Sequence, residues 1–243
     1  MTSQISTATL DRTFQQEENT SWAGLYRLAG GAVLLTAVFI PIQIAVFLLN
    51  PPPASVPGWF SLFRAAPLTA LLDLDLLLLV DQVLAVPVFL ALYMALRRTH
   101  PALMLATLAL SMLAAVLFIA SNPGFAMLNL SQQYAAAAEG ERAGLLAAGQ
   151  AVMSQYNGSA FQVSYLVGAL ALIAFSAVML RNQVFSRATA YLGIAANVIA
   201  LGLYVPRVGV YISVFSVVFL WVWYLLLGIR FLQLGRPAVG AAD

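Results

Sequence analysis

The sequence predicts an all-α membrane protein: a polytopic bundle of six transmembrane helices, with an amphipathic extracytoplasmic helix between the third and fourth spans. Two observations lead to this fold class. Of the 243 residues, 62% are hydrophobic and only 8% are charged, whereas a soluble globular chain carries about 25% charged residues. The chain also contains six apolar runs, each long enough for a helix to cross a hydrocarbon core, which takes about 20 residues.

The boundaries of the six runs are marked by polar or proline-rich stretches. Residues 1–21 are polar and predict a flexible cytoplasmic tail, followed by a single membrane domain over residues 22–243. Chain breaks are predicted at the proline-rich stretch 50–58, at the polar turn 97–101 and at Ser-Asn-Pro-Gly at 121–124. The spans are therefore predicted near 26–49, 68–96, 101–121, 160–181, 188–206 and 209–232.

Two segments outside the spans have a pattern of their own. Trp59, Phe60, Leu62 and Phe63 predict a short segment at the membrane interface. The connection 122–159 is longer than structureless loops usually are, and its centre, 132–155, is rich in the helix formers Ala and Leu. We expect this centre to be a helix on the membrane surface or over the bundle, with a solvated tether as the alternative.

The distribution of arginine predicts the orientation of the bundle. With six spans and a cytoplasmic N-terminus, three arginines lie on the outer side, namely Arg64, Arg142 and Arg207. The other eight lie on the inner side: Arg12, Arg27, Arg97, Arg98, Arg181, Arg187, Arg230 and Arg236. Short cytoplasmic loops carry an excess of basic residues. Both termini are therefore predicted to be cytoplasmic.

Composition excludes several functional classes. A net charge of +2 with scattered basic residues does not suit a nucleic-acid surface. The chain has no Cys, no Lys and one His, which excludes thiolate metal sites, Schiff-base chemistry and a bis-His haem within one chain. It also contains no HExxH, Walker or Gly-rich nucleotide motif. We therefore predict no catalytic residue, no metal and no cofactor, and a protein that is not an enzyme.

The candidate functional residues are the few polar groups expected at membrane depth. Asp81 lies near the midpoint of the predicted span 68–96, where an ionisable side chain costs about 3 kcal/mol. Its candidate partners are Gln82, Asn197 in the fifth span and Gln43 in the first. Two interpretations stay open: Asp81 carries a proton or binds a ligand, or it is a hydrogen-bonded residue that fixes helix packing.

Two further acids lie near the outer end of the same predicted span. Asp73 and Asp75 are placed close to the lipid headgroups, about 11–14 Å from the midplane. On the same side lie Arg64 and Arg207. We expect these four residues to form ion pairs with a structural role.

Three stretches of the chain resemble a known family. They are LLDLDLLLLVDQVLAVPVFLALYMALRR at 71–98, ASNPGFAMLNLSQQYAAAAEGERAGLLAAGQA at 120–151, and GSAFQVSYLVGALALIAFSAVMLRNQVFSRATAYLGIAANV at 158–198. As whole patterns they are similar to a family of bacterial six-span integral membrane proteins catalogued as a domain of unknown function. The resemblance implies a multi-pass protein of the bacterial inner membrane, and it implies no activity, ligand or site residue.

The sequence thus predicts a membrane protein that binds a lipid, an apolar small molecule or another membrane protein. The alternative is a small proton-coupled transporter or carrier that uses Asp81. Few polar residues at membrane depth and the absence of internal repeats favour binding. A continuous aqueous path through Asp81, Gln82 and Asn197 would favour transport, and a closed apolar pocket would favour binding.

Overall fold

The fold is entirely helical over residues 2–236, the part of the chain that the computed structural model describes, with side chains described from Trp22 onward. The elements are α1 (Thr2–Leu49), α2 (Val56–Ala65), α3 (Pro67–Asp73), α4 (Leu76–Leu96), α5 (Pro101–Ser121), α6 (Gly124–Ala136), α7 (Glu139–Tyr156), α8 (Ser159–Met179), α9 (Arg187–Ala200), a 3-10 turn (Leu201–Tyr204) and α10 (Gly209–Leu234). The predicted flexible tail over 1–21 falls outside the described side chains and stays a prediction.

The all-α membrane class is confirmed. By length and composition, five helical segments of the described chain are apolar enough to cross a membrane: Trp22–Leu49, Leu76–Leu96, Pro101–Ala136, Glu139–Met179 and Gly209–Leu234. The fifth predicted run, 188–206, instead forms the 14-residue α9 and the 3-10 turn that follows it. This helix is shorter than the 20 or so residues that an α-helix needs to span a bilayer by itself.

Six helices form a closed ring. Each packs mainly against two neighbours, in the order α1, α4, α5, α8, α9, α10 and back to α1. Close approach of the backbones accounts for part of this packing. A Cβ atom at Gly193 of α9 would overlap Ser176 of α8 and Trp223 of α10, and one at Gly228 of α10 would overlap Leu34 of α1.

Neighbouring helices in the ring are antiparallel. Tyr26 of α1 stacks on Phe231 near the end of α10, whereas the indole of Trp221 donates a hydrogen bond to the carbonyl of Ala37. In the same way, Tyr165 near the start of α8 donates to the carbonyl of Ala200 at the end of α9. The contacts therefore run in opposite chain directions along each of these helix pairs.

One end of the ring carries most of the arginines. The side-chain amide of Asn182 donates a hydrogen bond to Thr99, so the turn after α8 meets the turn after α4. Arg230 of α10 donates to the carbonyl of Val184 in the same region. This Arg-rich end contains the described inner arginines, and the positions of Arg64, Arg142 and Arg207 lie in or beside segments at the other end.

The opposite end is covered by α2, α3, α6 and α7, which we call the cap. Its core consists of side chains that are almost completely buried, among them Trp59, Phe60, Phe63 and Met127. Gly149 of α7 allows that helix to approach Phe60 closely. The segment around Trp59 is predicted to lie at the membrane interface; its aromatic side chains are buried within the cap, and its position relative to the membrane stays a prediction.

Two predicted helices are interrupted. The span 68–96 is divided into α3 and α4, because Asp75 has a left-handed backbone with φ 63°. The helix expected over 132–155 belongs to two helices, α6 and α7, which are separated at Ala137 by an extended backbone with ψ 144°. Hydropathy and helix propensity are averaged over a window of residues. These averages therefore do not detect a helix break at a single residue with non-helical dihedral angles.

Candidate functional site

The candidate site is a cavity of about 330 Å³ in the centre of the helix ring. All six ring helices contribute to its walls, and none of the cap helices does. Small-molecule sites in proteins usually have volumes of about 300–1,000 Å³ and mostly apolar walls. The apolar part of this lining consists of Val33, Leu78, Ala85, Val88, Phe89, Ala114, Ala115, Phe118, Gly168, Ala169, Leu172, Ala200, Val217 and Leu220.

Three of the four predicted intramembrane polar residues meet in this cavity. Asp81, Gln82 and Asn197 all line it. Gln43 lies elsewhere, since its amide nitrogen donates to the carbonyl of Leu72 at 3.0 Å and its oxygen is buried without a hydrogen-bond partner in the described structure. Residues of α4 and α9 thus line one cavity, and Gln43 belongs to the contact between α1 and α3.

Asp81 has one hydrogen bond to a neighbouring helix. The hydroxyl of Thr36, a buried residue of α1, donates to Oδ1 of Asp81 at 2.5 Å. The other carboxylate oxygen, Oδ2, accepts no hydrogen bond from any described residue, and Asp81 is only half-buried. One of the two oxygens of this carboxyl group therefore has no donor from the described residues.

The position of Asp81 along its helix differs from the predicted one. Because α4 starts at Leu76, its midpoint is residue 86, and Asp81 lies about 8 Å from that point toward the cap. The predicted position at the centre of the span assumed a continuous helix over 68–96. The left-handed Asp75 moves the start of the helix and with it the depth of the carboxyl group.

The amides of the other two residues differ in their bonding. Asn197 donates to the carbonyl of Gly193, one turn earlier on the same helix, at 2.8 Å. Gln82 lines the cavity and makes no hydrogen bond to a described residue. Gln82 is thus a further polar side chain in the cavity with hydrogen-bonding groups that no described residue uses, as is Trp223 with its indole nitrogen.

Hydroxyl groups in the cavity were not predicted. Ser111, Ser164, Ser213 and Ser216 line it, together with the phenol of Tyr165. Ser111 and Ser216 donate to carbonyls of their own helices. The hydroxyls of Tyr165 and Ser213 are 2.5 Å apart. The available signal in the sequence was the presence of serine residues one turn apart on apolar helices. The same pattern also indicates close packing of helices.

Aromatic rings form a further part of the wall. Phe89, Phe118, Tyr165, Trp223 and Tyr224 line the cavity, and they come from four different helices. The rings of Trp223 and Tyr224 are adjacent, with centroids 5.6 Å apart. Tyr224 lines the same cavity as Asp81. The walls therefore combine one carboxyl group, several hydroxyls and aromatic rings.

An apolar core separates the cavity from the Arg-rich end. Leu92, Leu96, Met104, Phe175 and Met179 are completely buried there, on the side of the cavity away from the cap. Apolar side chains at the packing density of a protein interior leave no room for a chain of water molecules. No continuous aqueous path toward the Arg-rich end passes through this part of the described structure.

The two outer acids lie outside the cavity, at the junction of α3 and α4. Asp75 accepts a hydrogen bond from the hydroxyl of Tyr156 at the end of α7, and Asp73 is buried with neither carboxylate oxygen hydrogen-bonded to a described residue. Burial raises the pKa of both carboxyl groups, and the Tyr156 hydroxyl partly offsets the increase in the pKa of Asp75. Within the described structure, neither forms the expected ion pair with Arg64 or Arg207.

Comparisons with known proteins identify no relative from which the role of the cavity could be inferred. The chain matches no protein-family model, no curated protein and no solved structure. Within the described residues, no group of three or more His, Cys, Asp or Glu side chains is arranged to hold a metal ion. The helices that are apolar enough to span a membrane indicate an integral membrane protein in a lipid bilayer.

Proposed function

We propose that this membrane protein binds a small, largely apolar molecule in the central cavity. The observation that carries the proposal is the position of the cavity: six helices surround it, and a fully buried apolar core lies between it and the Arg-rich end. A site that ends at a packed core holds a molecule and does not conduct it. The aromatic and aliphatic walls with a few polar groups are typical of small-molecule sites.

The volume of the cavity favours a small molecule over a whole lipid. A cavity of 150 Å³ accommodates a benzene molecule, so about 330 Å³ corresponds to roughly a dozen non-hydrogen atoms. A phospholipid with two acyl chains is several times larger. Of the candidate ligands, a compact apolar molecule therefore fits best.

A proton-coupled carrier that uses Asp81 is the second candidate function. The half-bonded carboxyl group inside the cavity favours it, as do Pro41 and Pro87 within the two helices that hold the Thr36–Asp81 pair. Proline removes a backbone hydrogen bond and permits bending. Carrier function requires a second conformation in which the core at the Arg-rich end opens.

We also propose that α9 completes a sixth membrane crossing. Its 14 residues and the following four-residue 3-10 turn together extend about 29 Å, close to the thickness of the hydrocarbon core. Antiparallel contacts on both sides support this: α9 meets Ser176 and Tyr165 of α8 at opposite ends, and Trp223 of α10.

In this topology the Arg-rich end is cytoplasmic and the cap is extracytoplasmic. The proposal rests on the basic residues at the first end and on their convergence in space. The proposal places the protein in the bacterial inner membrane with both termini on the cytoplasmic side, as the resemblance described for the sequence would imply.

The binding proposal is tested by filling the cavity. Gly168 lines it, and a Cβ atom there would touch only Ala114, at 3.5 Å. The side chain of Gly168→Leu therefore has room in the cavity. Gly31→Leu is the matched control, because Gly31 is also helical but exposed, with nothing within 4 Å of its Cβ position.

Native mass spectrometry of protein released gently from its own membrane provides the measurement. We expect a small molecule to remain bound to the wild type and to Gly31→Leu at equal occupancy, and to be lost at least tenfold from Gly168→Leu. A molecule that Gly168→Leu retains at full occupancy lies outside the cavity. That result, or a wild type without any bound molecule, contradicts the proposed site.

A further inference from the structure

The charge of the cavity is unbalanced. Asp81 is the only residue of the lining with a formal charge, and no arginine contributes to the described walls. Asp81 also forms no ion pair elsewhere in the described structure, because its only hydrogen bond comes from the neutral hydroxyl of Thr36. An ionised carboxyl group that is partly removed from water, like the half-buried Asp81, is stabilised by an opposite charge beside it.

Asp81, which lines the cavity, has a hydrogen bond on only one of its two carboxylate oxygens. Buried polar atoms in proteins usually have hydrogen-bond partners. Oδ1 receives the Thr36 hydroxyl, and Oδ2 receives no donor from the described residues. The geometry therefore leaves one acceptor of a carboxyl group for a donor that enters the cavity.

The aromatic walls suit a cation as well. The faces of aromatic rings attract ammonium groups, by about 0.5–2 kcal/mol depending on how far the site is desolvated. Tyr224 lies beside Trp223, with ring centroids 5.6 Å apart, and both rings line the same cavity as Asp81. The carboxyl group and the aromatic rings therefore both favour the same kind of ligand, an ammonium ion with an apolar body.

We propose that the ligand of the cavity is a small organic amine, bound in its protonated form with its ammonium group on Oδ2 of Asp81. This inference rests on the proposed binding function and specifies its ligand class. The apolar body of the amine occupies the space between Phe89, Phe118 and Tyr165, and the ammonium group supplies the positive charge that the protein does not place there.

A pair of probes of equal size separates charge from shape. 2-Phenylethylamine and 2-phenylethanol share the same skeleton and fit the cavity volume, but only the amine is cationic at neutral pH. Equilibrium binding of each radiolabelled probe is measured at pH 7 on the protein in lipid nanodiscs. Binding to empty nanodiscs is subtracted, because both probes partition into lipid.

Two variants test whether the preference for the amine depends on the charge of Asp81. Asp81→Asn keeps the size of the side chain and removes its charge, and Asp75→Asn is the matched control outside the cavity. We expect the wild type and Asp75→Asn to bind the amine at least tenfold more tightly than the alcohol. In Asp81→Asn this preference is expected to disappear, while binding of the alcohol changes less than threefold.

Each other outcome contradicts a different proposal. Equal affinity of the wild type for both probes, with Gly168→Leu weakening both, retains the binding cavity and overturns the amine. A preference for the amine that survives in Asp81→Asn overturns the role of Asp81. Absence of saturable binding of either probe overturns the cavity as a binding site. The comparison of two probes on the wild type stands even if Asp81→Asn does not fold.

Discussion

Three aspartates within nine residues of chain have three different surroundings. Asp73 is buried without a hydrogen-bond partner among the described residues, Asp75 accepts the Tyr156 hydroxyl, and Asp81 is half-buried in the cavity with a Thr36 hydroxyl on one oxygen. The sequence predicts all three in one continuous helix, at different depths in the membrane. The left-handed backbone of Asp75 sets them apart, since it ends α3 and turns the chain into α4.

At this scale the pH dependence of stability tests the surroundings of Asp75. Burial raises the pKa of its carboxyl group above the ordinary value of 3.8. The stability of the folded state is therefore greatest while this group is protonated, and it falls as the pH rises through the raised pKa. Asp75→Asn removes this contribution, keeps an acceptor for Tyr156 and tolerates a positive φ. Its melting temperature should accordingly decrease less than that of the wild type between pH 4 and pH 7.

Circular dichroism in detergent micelles at the two pH values provides the measurement. Glu139→Gln is the control, because Glu139 is an exposed acid at the start of α7 and should leave the pH dependence unchanged. Identical pH dependence of the wild type and Asp75→Asn would show that this carboxyl group carries no cost of burial.

At the scale of the elements, α9 depends most on close backbone contact. It is the shortest helix of the ring, and Gly193 lets it lie directly against Ser176 and the indole of Trp223. We expect Gly193→Ala to lower the free energy of unfolding by roughly 1–2 kcal/mol, because overpacking outweighs the gain of about 1 kcal/mol in helix propensity. Thermal unfolding in nanodiscs, read by circular dichroism, measures the difference.

Gly31→Ala is the matched substitution for this comparison. Gly31 lies in α1, and its Cβ position has no neighbour within 4 Å. Alanine there should leave stability unchanged or raise it by up to about 1 kcal/mol. Equal melting temperatures of Gly193→Ala and the wild type would mean that α9 moves away from α8 and α10 without cost.

The elements also show what the sequence can and cannot predict. Apolar runs separated by proline and arginine correctly predicted helices at Pro101–Ser121 and Gly209–Leu234, because burial in lipid requires long uninterrupted apolar stretches. The break at Asp75 and the burial of Trp59 depend on contacts with Tyr156 and Met127, which are distant in the chain. No local pattern contains such contacts.

At the scale of the whole molecule, the closed ring of helices determines which polar residues lie close together. The sequence identified Asp81, Gln82 and Asn197 because polar residues at membrane depth are rare and usually face the interior of a bundle. It did not identify Tyr165, Ser213 or Tyr224 as part of the same site. Their roles depend on the order of the helices around the ring, and composition does not specify that order.

The number of membrane crossings is tested with single cysteines, since the chain has none of its own. Gly144→Cys in α7, Gln183→Cys after α8 and Val205→Cys after the 3-10 turn all lie at exposed positions. In intact bacterial cells, a membrane-impermeant maleimide should label Gly144→Cys and Val205→Cys, and it should label Gln183→Cys only after permeabilisation. If Val205→Cys instead behaves like Gln183→Cys, α9 does not cross the membrane.

The contact between α1 and α10 also determines when the site comes into existence. Thr36 and Asp81 are 45 residues apart and can meet once the first two ring helices have entered the bilayer. The bond from Trp221 to Ala37 joins residues 184 apart and must wait for the last ring helix to leave the ribosome. During synthesis, both residues of the Thr36–Asp81 pair are therefore available well before Trp223 and Tyr224. A chain that ends before α10 would lack the cavity wall to which Trp223 and Tyr224 belong, so the cavity can close only once the final helix has been made.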